Sequence, residues 1–122
     1  MSVNDSQAVQ ATARHLVVAL ESYEPHVREL VSGWLDMELY LTVSAEVDDL
    51  KLCCSTLPEL SVPWVSLLIS HAELVHCLWR SSQPVPPRRY EVERRLDEHL
   101  ESVRWLRARA KMIAGAPGNA RA

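Results

Sequence analysis

Apolar residues recur at the α-helical period through almost the whole chain, in four stretches set apart by proline. From Asp5 to Ser22, Val9, Ala13, Leu16 and Leu20 fall on one face, with Gln7, Gln10, Arg14 and Glu21 on another. Asp5 or Ser6 stands where an N-cap belongs. A second stretch starts at Pro25, a residue suited to a first helical turn, and continues to Thr56, where Leu57-Pro58 stops it. The third spans Pro63 to Ser81. Trp64, Leu67, Leu68, His71, Leu74, Val75 and Leu78 line its apolar face, opposite Ser66, Ser70, Glu73, Cys77 and Arg80. The fourth spans Arg88 to Ala114, with Val92, Leu96, His99, Leu100, Val103, Leu106, Ala110 and Ile113 facing inward. Gly115 and then Pro117 end it in the usual order.

The second stretch carries two stripes. Val27, Leu30, Val31, Trp34, Leu41 and Ala45 form the first. Leu39, Val43, Val47, Leu50, Cys54 and Leu57 form another, nearly opposite. Either the helix kinks around Thr42 to Glu46, or it is straight and its second stripe meets a partner subunit. Leaving those side chains wet forgoes roughly 1.5–3 kcal/mol each, so a covering partner is expected, a symmetric homodimer being the commonest solution. Trp105 and Met112 also fall together, away from the core stripe of the fourth helix. They make a second candidate partner patch, unless Trp105 packs under the N-terminal segment or the Pro84–Pro87 loop.

Short connections favour antiparallel neighbours. The expected fold is a single-domain, all-α, antiparallel four-helix bundle over residues 1–115, with a long second helix and a flexible tail at 116–122. A chain of 122 residues buries one core without a metal or disulfide framework. Only three glycines mean few tight turns, which suits long helices better than a sheet sandwich. The net charge of −3 gives no global attraction to nucleic acid or anionic membrane, and the arginines between Arg88 and Lys111 alternate with Glu91, Glu93, Asp97, Glu98 and Glu101. Three cysteines, two of them adjacent, make no disulfide framework. The polar start, Met1 to Gln10, reads as no signal peptide, and no apolar run reads as a membrane span. A reduced, cytoplasmic protein is expected. Its arginine-rich, alanine-rich composition is that of a GC-rich bacterial gene.

Candidate chemistry centres on His71 and His99, both on core faces, with Glu38 intruding on the first stripe of the second helix and Asp48 and Asp49 near it. If these converge, they form either a transition-metal or catalytic cluster or a satisfied buried polar pair. The second reading is favoured, because Glu73-Leu74-Val75-His76 is the single Glu-x-x-His and a di-metal bundle uses two. Phosphotransfer would need an exposed histidine beside a lysine, whereas His71 is followed by Glu73. Arg94 and His99 stand at the loose spacing of helical nuclease-like bundles, a match expected about once by chance in a chain with this many arginines and histidines. Cys77, on the polar side of the third helix, has no basic residue one turn before it to activate the thiol. No cofactor is implied. The function expected is a protein–protein interaction module, binding itself or another protein, with no nucleic-acid or membrane partner.

Overall fold

The computed structural model describes residues 3–115, with side chains from residue 5 onward. The expected tail, 116–122, lies outside the described residues. Four helices follow in order: α1 (Val3–Ser32), α2 (Met37–Ser55), α3 (Ser61–Arg80) and α4 (Arg89–Ala114). A single 3-10 turn, Pro58–Leu60, leads into α3.

The long helix is the first, not the second. Ala13, Leu16, Leu20, Tyr23, Val27 and Leu30 are buried in an unbroken three-four spacing, so the stripe of α1 runs straight through Pro25. Pro25 itself lies on the solvent side. An interior proline forfeits one backbone bond and costs about 3 kcal/mol. Burial of Val27 and Leu30 beyond it, in line with Tyr23 before it, outweighs that loss. The break falls at residues 33–36 rather than at Thr42 to Glu46. There Gly33 N–H closes α1 on the Glu29 carbonyl (2.8 Å), and Asp36 caps α2 by accepting from the Leu39 N–H (3.1 Å).

That turn resets the helical phase and explains the two opposed stripes. Val27 and Leu30 belong to the core face of α1, whereas Val43, Val47, Leu50 and Cys54 are the core face of α2. Leu57 is buried beside them and Leu39 packs against the same cluster. The expectation that Leu39, Val43, Val47, Leu50 and Leu57 form a partner surface is therefore corrected: the fold itself covers them.

Each helix runs antiparallel to the next. His26 of α1 meets Glu46 of α2 (2.8 Å), while Trp34 near the end of α1 meets Tyr40 near the start of α2. Arg80, at the end of α3, bonds Glu91 near the start of α4 (3.1 Å), and Ser66 bonds Ser102 (3.1 Å). Ser6, Val9 and Gln10 of α1 share an end cavity with Arg109, Met112 and Ile113 of α4. α4 packs against both α1 and α3, α1 also packs against α2, and α2 and α3 share the least contact of the neighbouring pairs. One end is closed by three aromatic rings in mutual edge-to-face contact: Trp34, Tyr40 and Trp79, with centroids 4.9–6.2 Å apart.

Candidate functional site

The two core histidines do converge. Their ring centroids are 5.6 Å apart, and both bond the phenol of Tyr23, which α1 pushes between α3 and α4. Tyr23 Oη is 2.7 Å from His99 Nε2 and 3.1 Å from His71 Nδ1. His99 Nδ1 is 2.7 Å from Ser70 Oγ. One constraint orients the whole chain of bonds. The Ser70 hydroxyl donates to the Leu67 carbonyl (3.0 Å), which can only accept. With its proton so used, Ser70 Oγ accepts from His99 Nδ1–H. His99 Nε2 then accepts from Tyr23 O–H, and Tyr23 Oη accepts from His71 Nδ1–H.

The electrostatics agree with neutral rings. Burial, and then the neighbouring His71, push the His99 pKa down to about 3. Burial lowers His71 as well. Burial, followed by the charge of Glu46, raises the Tyr23 phenol above its usual range. Both nitrogens of His99 are thus engaged within the protein, so it offers no lone pair to a metal. Glu38 takes no part: it is exposed in the first turn of α2. Asp48 and Asp49 are exposed too. Among the described residues no three His, Cys, Asp or Glu side chains cluster as metal ligands do. Ser70 is not set up as a nucleophile. It sits in mid-helix, where backbone N–H groups are already bonded and none is free to hold an oxyanion. Arg94 is exposed while His99 is buried, so the two do not face one substrate. A first helix that ends at Ser22, as the pattern suggests, leaves Tyr23 outside the core stripe. Its place in the three-four stripe of α1 was the available signal.

This inner bond chain has an outer consequence. It rolls α3 toward α4, so that the side carrying Ser66, Ser70, Glu73, Cys77 and Arg80 becomes the α3–α4 seam rather than a wet face. Ser70 and Cys77 are buried, and Glu73 and Arg80 pair with Arg95 and Glu91. Cys77, expected on the solvent side, is a closed thiol whose pKa is raised by burial and by Glu91. Cys54 is raised to about 12 by burial and by Cys53. What turns outward instead is apolar. Val62, Val65, Leu68, Ile69 and Trp79 are all exposed, Val62 by 66% and Ile69 by 55%. Ala72 and His76 complete the face. Leu68, expected in the core, is part of it.

Beside this face runs a shallow groove of about 540 Å³ along the α3–α4 seam. Val62, Val65 and Ile69 form its apolar wall, and Glu73, Arg95 and Glu98 its charged rim. The Arg95 guanidinium holds both carboxylates, at 3.5 and 3.4 Å. The sequence signal for this face was that α3 is apolar nearly all round. The stretch Pro58–Arg80 is in fact long and apolar enough to cross a membrane by length and composition, contrary to the expectation that no run qualifies. Its inner side, however, carries Ser70 and His71, bonded across to α4 and α1.

On α4, Trp105 is 42% and Met112 70% exposed. Among the described residues, nothing covers this part of the Trp105 ring. Arg104, Arg109 and Glu101 flank the pair, so the patch is narrower than the face of α3. Comparison with protein-family models, with curated proteins and with solved structures finds no match to this chain.

Proposed function

We propose that the chain is a small protein–protein interaction module of the cytoplasm, which docks through the outward face of α3. The observation that carries this reading is the row of exposed Val62, Val65, Leu68, Ile69 and Trp79 on one helix. Together they leave roughly 450 Å² of apolar surface in water, the size at which patches on soluble monomers are commonly functional. Trp79 is held by Trp34 and Tyr40, so it meets a partner already ordered and loses little freedom on binding. A membrane-surface role is disfavoured by charge. Such helices carry a basic polar face, whereas α3 has one arginine, Arg80, and it is paired with Glu91. The three cysteines are all free thiols, as suits a reducing compartment. Trp105 and Met112 offer a second, smaller contact surface.

The test is photo-crosslinking in living cells, with benzoylphenylalanine placed at position 68 and, as a control, at the still more exposed Val18 of α1. A protein adduct from position 68 and none from position 18 is the expected result. No adduct from position 68, or an adduct with lipid, would sink the reading.

A further inference from the structure

The outward face of α3 has the spacing of a coiled-coil seam. Val62, Val65, Ile69, Ala72, His76 and Trp79 follow one another at intervals of three and four, six consecutive a and d positions along an exposed helix. A row of this kind fits another helix with the same row, knobs into holes, at a shallow crossing angle. We infer that its occupant is a second copy of the chain, bound antiparallel, α3 against α3, about a two-fold axis near Ser70 and His71. This inference rests on the docking role of α3 proposed above.

Size matching carries the choice of partner and direction. In the antiparallel register centred there, Trp79 meets Val62 of the second copy, His76 meets Val65, and Ile69 meets Ala72. Every layer then sets a larger side chain against a smaller one, so the layers interdigitate at similar volume. The two-fold axis repeats each of these pairings, as an isologous contact requires. A parallel pair would stack Trp79 on Trp79 and Ala72 on Ala72, one layer overfilled and another hollow. Stable pairs bury about 800 Å² per partner. The five large apolar residues supply about half of that, and Ser61, Ala72, His76 and the rims of the groove add to it. The dimer therefore belongs to the small-interface class, dissociating in the micromolar range.

Disulfide trapping of full-length protein tests direction and occupant together. Two variants, Val65→Cys and His76→Cys, are oxidised separately and as an equimolar mixture, with wild type as the blank for Cys53, Cys54 and Cys77. Both positions are exposed, so the fold tolerates the changes, and unchanged thermal melts would confirm it. The expected result is a disulfide-linked dimer in the mixture at least about tenfold above either variant alone. Self-linking by Val65→Cys alone would overturn the antiparallel register. Absence of any link would overturn the second copy as occupant. An adduct of position 68 with some other protein, in the crosslinking experiment above, would then leave the docking role standing, so the two failures are distinguishable.

Discussion

The Tyr23 hydroxyl donates to Nε2 of His99 across 2.7 Å, linking the first and last helices at the centre of the bundle. His99 Nε2 has no other route to satisfaction, because the residue is fully buried and its other nitrogen is spent on Ser70. Tyr23→Phe keeps the ring but leaves His99 Nε2 and His71 Nδ1 without partners. Each buried orphan costs about 1–3 kcal/mol, so the variant should lose about 2–4 kcal/mol. Urea denaturation followed by circular dichroism would measure it. A loss under 0.5 kcal/mol, on the scale of an ordinary surface change, would mean that the bond chain does not hold the bundle.

Acid should loosen the same centre. His99 takes up its proton near pH 3 when folded and near its ordinary value when unfolded, and His71 is shifted in the same direction. Between those limits the unfolded chain binds more protons, so stability is fully present above about pH 6.5 and falls as the pH drops toward 3. At pH 5, His99 alone should remove about 2 kcal/mol. A His99→Gln variant, whose side chain cannot titrate, should show a shallower decline in denaturant midpoint between pH 7 and pH 4. An unchanged slope would contradict the assignment.

The correction to α2 has a direct check. Leu50 is 0% exposed in the isolated chain, whereas Leu41, on the stripe first expected to face the core, is 60% exposed. Leu50→Ala should destabilise by about 2–5 kcal/mol at any protein concentration, and Leu41→Ala by less than about 0.5 kcal/mol. If the Leu50→Ala cost vanished on dilution, the α2 stripe would belong to an interface after all.

One side chain, Asp36, caps α2 after the turn at residues 33–36. Asp36→Ala removes the acceptor for the Leu39 N–H and should cost about 1 kcal/mol, while Asp36→Asn should be nearly neutral. Equal losses in both variants would show that charge at the helix start, rather than the cap bond, holds α2 in place.

Much of this was legible in the chain. The core face of α4 and the stripe from Ala13 to Leu20 are simple three-four patterns, and the structure buries Leu100, Val103, Leu106 and Ala110 as they imply. The inward positions of His71 and His99 were equally readable. The boundary between the first two helices was not, for a physical reason. Pro25 is a strong local stop signal, and it is overridden by burial of Val27 and Leu30 further along the face that Tyr23 begins. Nor could pattern reading find the orientation of α3. Counting apolar residues ranks Leu68 above Ser70 for burial, but Ser70 is drawn inward by His99 of α4, a partner no single-helix count contains. The exposed face of α3 follows from that roll, so the candidate site emerged from a polar contact inside the bundle.

The most direct test of the account is sedimentation velocity of the full-length protein across the micromolar range, wild type beside Ile69→Glu. Ile69 is exposed, so the folded monomer should tolerate the change with its Tm kept within about 2 °C. The account predicts reversible dimers for wild type and a dissociation constant at least about 100-fold weaker for the variant, because a charge would be buried opposite Ala72 of the second copy. A variant that sediments as wild type does, or a wild-type protein that stays monomeric throughout, would contradict it.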